Sequence, residues 1–282
     1  MSMSQNDGLT NLAFSPNGKH LATGTTSGNV ILWDMDTGQS VMTLPVHTDL
    51  VFYLAFSPDG GRLVTSSWDG TAKLVDLASG KEILSIPDQW SGVAFSTDGK
   101  QVFTSGLDGY VHLWDASTGQ DLRKYSDGSQ DVYGVAISPD GKLLAIGLQD
   151  GTITLWDIGS GTKLRTLSGH SGLINQLAFN HDGTRLASAS FDRLAKVWDV
   201  ASGEELLSLY GNTSNVFSVS FSPDDQQLAT AGADGTVRTY SLQLEELVAL
   251  AHSRVTRALT AEECHKYLHL EQCPSKGVLF NE

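Results

Sequence analysis

Along this chain, short runs of alternating apolar and polar residues are broken by turn sequences. Leu9–Phe14 alternates as a strand buried on one face does. Ser15-Pro16-Asn17-Gly18 then supplies a β-turn, with Pro presetting φ and Gly tolerating positive φ. Leu21–Thr25 and Val30–Trp33 follow, separated by Thr26-Ser27-Gly28. Ser40–Leu44, after Asp36-Thr37-Gly38, completes a set of four predicted strands. The same grammar returns through Ser79-Gly80, Thr118-Gly119, Ser160-Gly161 and Ser202-Gly203.

The pattern is periodic. The aromatic or aliphatic residue before each first turn falls at Phe14, Phe56, Phe95, Ile137, Phe179 and Phe221, at intervals of 42, 39, 42, 42 and 42 residues. The dipeptides Trp33-Asp34, Val75-Asp76, Trp114-Asp115, Trp156-Asp157, Trp198-Asp199 and Tyr240-Ser241 keep the same phase. A four-stranded antiparallel unit is too thin to bury both faces alone, and stacking such units around an axis covers them. With Gly169-His170 at one end of the fullest copy and Trp198-Asp199 at the other, the chain resembles the WD-repeat family through Ser241. The expectation is an all-β WD-repeat β-propeller of six recognisable blades, the last incomplete, over residues 9–242. Residues 1–8 are expected to be extended or disordered, and 243–282 to form a short helical tail.

The resemblance implies a brace inside each blade, made by a His before the first strand, a Ser or Thr in the second, the turn Asp and the Trp. Only the copy ending at Trp198 carries the full set: His170, Ser188 or Ser190, Asp192 and Trp198. Buried indole, imidazole and carboxylate groups are costly unless they satisfy one another. The second copy has His47 and Asp69 but Val75 for Trp. The third loses the His in a shortened loop over residues 86–92. The fourth has Asp131 near the place of the His, and the sixth substitutes Asn212 and Tyr240. Uneven blade stability follows.

Closure of the ring is the difficulty. The chain begins on an innermost-type strand at Leu9 and its sixth copy stops near Ser241, so the ring lacks one outer strand. Either packing alone closes the ring or the chain is a fragment of a longer propeller, and an effector domain or second chain completing the propeller is the partner this would call for. Beyond it, Leu244, Leu247, Val248, Ala251 and Val255 lie at helical spacing, and Thr260 with Glu263 forms a capping box for a second helix that Pro274 ends. The stretch from Ala251 through Cys264, Tyr267–His269 and Cys273-Pro274 is similar to the C-termini of bacterial multidomain signalling proteins. That similarity suggests the sensor module of a nucleotide-dependent switch as the alternative function.

The chain has 18 basic and 32 acidic residues, a net charge of −14, which argues against a phosphate-backbone partner. No apolar run approaches a membrane span and the N-terminus lacks a signal-peptide pattern, so a cytoplasmic protein without a membrane partner is expected. Both cysteines, Cys264 and Cys273, lie outside the repeats, so no disulfide framework is expected. With His265 and His269 they form a Cys-His-x3-His-x3-Cys pattern, in which the two histidines share a helix face but Cys264 points away. No metal or other cofactor is expected. His170, Ser190 and Asp192 also invite a hydrolase triad, but no nucleophile elbow accompanies them and Trp198 suits the brace better. The Asp residues at 69, 108, 150, 192 and 234 recur once per copy and read as turn formers.

In the family, the turn bearing that Asp opens on the face around the central channel, and the residue before it varies. Here it is Trp68, Leu107, Gln149, Phe191 and Ala233. Trp68, Leu107 and Phe191, joined by Trp90 of the shortened loop and by Tyr133, are the candidate partner-binding residues, since clustered exposed aromatics mark binding sites. The expected function is a non-catalytic scaffold for a protein or peptide partner.

Overall fold

The computed structural model describes residues 7–106, 108–125 and 131–243. Among them are 23 strands in six antiparallel sheets, each built from consecutive strands. The first sheet is β1 (Leu9–Phe14), β2 (His20–Thr25), β3 (Asn29–Asp34) and β4 (Ser40–Pro45). The second is β5 (Val51–Phe56), β6 (Arg62–Ser67), β7 (Thr71–Asp76) and β8 (Lys81–Pro87). The third is β9 (Gln89–Phe95), β10 (Gln101–Gly106), β11 (Val111–Asp115) and β12 (Asp121–Tyr125). The fourth is β13 (Val132–Ile137), β14 (Leu143–Leu148), β15 (Ile153–Asp157) and β16 (Lys163–Leu167). The fifth is β17 (Ile174–Phe179), β18 (Arg185–Ser190), β19 (Ala195–Asp199) and β20 (Glu205–Leu209). The sixth has three strands, β21 (Val216–Phe221), β22 (Gln227–Gly232) and β23 (Val237–Ser241). These are the blades of a six-bladed propeller.

Local chemistry sets the corners. After each innermost strand a side-chain oxygen accepts the backbone N–H five residues on: Ser57 Oγ takes that of Arg62 at 2.9 Å, and Ser138 Oγ that of Leu143 at 2.9 Å. In the fifth blade Asn180 Oδ1 does the same for Arg185 at 2.8 Å. The hairpin between the second and third strands needs a left-handed residue. Glycine supplies it at Gly28, Gly70, Gly109, Gly151 and Gly235, but in the fifth blade it is Arg193, at φ 74°.

The core lies between blades. Ala22, Val30, Leu32 and Leu44 of the first blade pack on Val51, Leu54, Leu63 and Val75 of the second. Phe103, Val111, Leu113 and Tyr125 of the third meet Val132, Leu144, Ile146 and Leu148 of the fourth. Innermost strands are also tied by hydrogen bonds from Ser91 Oγ to the Tyr133 carbonyl at 3.2 Å and from Asn175 Nδ2 to the Phe217 carbonyl at 2.7 Å. Tyr53 donates its hydroxyl to the Asn175 carbonyl, linking the second blade to the fifth, and burial holds that phenol well above its usual pKa.

The register of every innermost strand shifts near its start, as a β-bulge does. The extra, unpaired residue is Thr10 in β1, Phe52 in β5, Asn175 in β17 and Phe217 in β21. In β13 both Tyr133 and Gly134 sit in the irregularity, and in β9 it spans Trp90–Gly92.

The junction of the sixth and first blades differs from the other five. Leu12 is 59% exposed, whereas Leu54, at the same place in the second blade, is 6% exposed. Phe14 is also exposed, and Val237 of β23 is 74% exposed where Val30, Ala72, Val111, Ile153 and Ala195 are fully buried. Residues 7–240 belong to one compact unit. The expected tail helices and the Cys264, His265, His269 and Cys273 cluster lie outside the described residues, as do residues 1–6.

Leu12 and Leu54 therefore make a matched pair. With Cys264 and Cys273 replaced by serine, a Leu12→Cys thiol should react with a small disulfide reagent in the native protein, and a Leu54→Cys thiol only on unfolding. In denaturant titrations Leu54→Ala should cost about 2–5 kcal/mol and Leu12→Ala under about 1 kcal/mol.

Candidate functional site

The fifth blade holds a directed chain of hydrogen bonds. Trp198 Nε1 donates to Ser188 Oγ at 2.8 Å, and Ser188 Oγ lies 2.8 Å from His170 Nε2. His170 Nδ1 lies 2.7 Å from Asp192 Oδ2, which also accepts the Ser171 N–H at 3.0 Å. The ionised Asp192 carboxylate can only accept, so His170 carries a proton on Nδ1 and donates it to Asp192. Burial raises the Asp192 pKa, but the hydrogen bond and charge of His170 and the backbone N–H groups of Ser171 and Leu194 outweigh it and bring it down to about 2.

Ser190 does separate work. Its hydroxyl donates to the Gly172 carbonyl at 2.8 Å and accepts the Asp192 N–H at 3.1 Å. Ser188 and Ser190 are fully buried, so neither hydroxyl meets solvent or a substrate. As a nucleophile, Ser190 would need His170, which is engaged with Ser188.

The other blades solve the same problem with different residues. In the second, His47 bridges Asp69 at 2.9 Å and Thr65 Oγ1 at 2.8 Å without an indole, and burial lowers the imidazole pKa. In the first, Trp33 Nε1 reaches Thr23 Oγ1 at 2.8 Å. The third blade rebuilds the brace with residues the sequence reading missed. Asp88 alone separates β8 from β9, and Gln89 Oε1 accepts Thr104 Oγ1 at 2.6 Å while Trp114 Nε1 donates to the same Thr104 at 2.7 Å. Asp108 turns instead to His112, which lies 3.0 Å from Asp108 and 2.9 Å from Asp121 and stacks on Trp114 with ring centroids 5.3 Å apart. In the fourth, Trp156 Nε1 donates to Thr154 Oγ1 at 2.9 Å, and the backbone carbonyl of Asp131 accepts the Gln149 N–H at 3.1 Å. In the sixth, Arg238 joins Asn212 and Asp234, each at 3.0 Å, and Asn212 Nδ2 reaches the Tyr240 hydroxyl at 3.4 Å.

The braces turn inward, and what faces outward is aromatic. Trp68, 57% exposed, stacks on Phe52 with ring centroids 6.1 Å apart. Phe52 also meets Trp90 at 5.9 Å, and Trp90 meets Tyr133 edge-on at 5.4 Å. This arc crosses the second, third and fourth blades. The bulges aim Phe52 and Tyr133 out of the ladder, and the one-residue connection at Asp88 brings Trp90 between them. The Trp90 indole N–H is buried without an acceptor. Phe191, 36% exposed, pairs instead with Phe217 at 5.6 Å in a second group on the fifth and sixth blades. Of the five candidate partner-binding residues, Trp68, Trp90 and Tyr133 come together through Phe52, Phe191 belongs elsewhere, and Leu107 lies outside the described residues.

Among the described residues, no cluster of three or more His, Cys, Asp or Glu is placed to hold a metal ion, and no helix is long and apolar enough to cross a membrane. A family model described as WD domain, G-beta repeat matches residues 2–34, 38–76, 83–115, 119–157, 161–199 and 203–241. A comparison with curated proteins finds no match.

The Asp192 carboxylate gives the brace a pH signature. Its pKa is held down to about 2 in the folded protein, below the ordinary aspartate value of 3.8. Below about pH 4 the unfolded chain therefore binds the extra proton, so this contribution is complete above that pH and is lost as pH falls toward 2. Urea titrations from pH 5 to 2 should show a shallower loss of stability for Asp192→Asn than for the unaltered protein; equal slopes would mean that Asp192 is not held by His170.

Proposed function

Because the chain belongs to the WD-domain, G-beta repeat family, we propose that it is a non-catalytic scaffold that holds a protein or peptide partner against its aromatic arc. Propellers of this family commonly serve as interaction scaffolds. The observation that carries the reading is the contact chain Trp68–Phe52–Trp90–Tyr133, with Trp68 mostly in solvent. A large ring that only covered a neighbouring blade would itself be covered. Rigid aromatic groups that gather at one place and stay exposed supply most of the energy in many interfaces.

In this reading the braces and the arc divide the labour. His170, Ser188, Asp192 and Trp198 satisfy one another inside the fifth blade and keep the frame fixed. The arc lies on turns and bulges, where a side chain can change without disturbing the ladder. The open face at Leu12 and Phe14 supports a second partnership, in which an effector domain or second chain lays a further blade against the first. A Leu12→Cys thiol that loses its reactivity when that chain is added would report it.

Peptides selected from a random display library on the intact protein provide the test. Trp68→Ala should weaken those that bind the arc by at least about tenfold, the range of an interface hot spot, with the unfolding midpoint unchanged. Undiminished affinity in a folded Trp68→Ala protein would contradict the assignment.

A further inference from the structure

We infer that the aromatic arc is a site for partner segments carrying lysine or arginine side chains. The inference rests on the arc being the partner site and adds the chemistry of what it takes.

Three carboxylates accompany the four rings. Exposed Asp49 is held beside Trp68: Ser67 Oγ donates to the Asp49 carbonyl at 3.0 Å, and the Trp68 N–H donates to the adjoining Leu50 carbonyl at 3.1 Å. Exposed Asp88 forms the single-residue connection two positions before Trp90, its φ of 60° fixing the turn. Half-buried Asp131 stands two positions before Tyr133 and acts on it electrically: burial first, and the Asp131 charge second, raise the Tyr133 phenol pKa. Among the described residues, none of these three carboxylates forms an ion pair.

The ring faces point to the same chemistry. Aromatic faces carry negative potential and attract cations, most strongly for tryptophan. The cation–ring contacts among the described residues are Arg62 over Phe95, Lys124 over Tyr110 and Lys196 over Trp198, none of them on a ring of the arc. Among the described residues no basic side chain lies over Phe52, Trp68, Trp90 or Tyr133; Trp68 is exposed and the other three are half-buried. A lysine or arginine stem would lie on the indoles while its charged head met Asp49, Asp88 or Asp131, and the net charge of −14 would draw such a segment in.

The test uses a short fluorescein-labelled peptide alternating lysine and serine, with counterparts carrying glutamine or glutamate for lysine, in anisotropy titrations against the intact protein. The lysine peptide should bind about tenfold tighter than the glutamine peptide, and added salt should weaken it. The double variant Asp49→Asn/Asp131→Asn, altered at one exposed and one half-buried carboxylate with its unfolding midpoint checked, should lose several-fold in affinity for the lysine peptide alone, and Trp68→Ala should weaken it as well. If the glutamine peptide binds as tightly and Trp68→Ala weakens both, the charge inference falls and the arc remains a peptide site. If the lysine peptide binds both variants as it binds the unaltered protein, the attraction is to an acidic surface at large and the inference is overturned. Failure of the lysine peptide to bind overturns it too, while the display-selected peptides judge the arc separately.

Discussion

A four-stranded sheet that is apolar on both faces is stable only if something covers each face, and that requirement organises this protein. Four junctions, from the first blade to the fifth, meet it with apolar clusters shared by successive blades. Ala22, Val30 and Leu32 press on Val51 and Leu54, and the later junctions repeat the arrangement with other aliphatic and aromatic side chains. At about 25 cal/mol per Å² of apolar surface removed from water, burial of this kind is the largest favourable contribution available to such thin sheets. Where it is missing, between the sixth and first blades, Leu12, Phe14 and Val237 stand in solvent.

The polar braces are subordinate to that packing, which explains why they vary. Each blade must satisfy whatever donors and acceptors it buries, but not with one fixed set. Trp198, Ser188, His170 and Asp192 do so in the fifth blade; Gln89, Thr104 and Trp114 do so in the third, while Asp108 is released to His112. Valine at position 75 needs no partner, so the second blade keeps only His47, Thr65 and Asp69.

Much of this was legible in the sequence. The spacing of Phe14, Phe56, Phe95, Ile137, Phe179 and Phe221 gives the blades and their strands, since a two-residue alternation cut by fixed turns leaves little choice of register. Gln89 and His112 were not legible. The shortened loop moves the third blade's buried polar residue out of phase with His47 and His170, and a histidine on β11 has no counterpart in the other copies. The sequence pointed to Trp68, Trp90, Tyr133 and Phe191 as companions, but Phe191 pairs with Phe217, and Phe52, which a bulge turns out of its strand to join the arc, was not legible. A bulge leaves no clear mark on a run such as Val51–Phe56, which is apolar at every position. The missing strand of the sixth blade could be counted from the sequence, whereas the exposure of Leu12 emerges only when the blades are placed.

If covering each sheet on both faces is what sustains the fold, stability must differ between blades in a defined order. Native-state amide hydrogen exchange measures this directly. The account predicts that Ser188 in β18 and Val197 in β19, covered on both faces, exchange only with global unfolding, while the amides of Val237 and Thr239 in β23 exchange through much smaller local openings. Protection of β23 equal to that of β19 would contradict it.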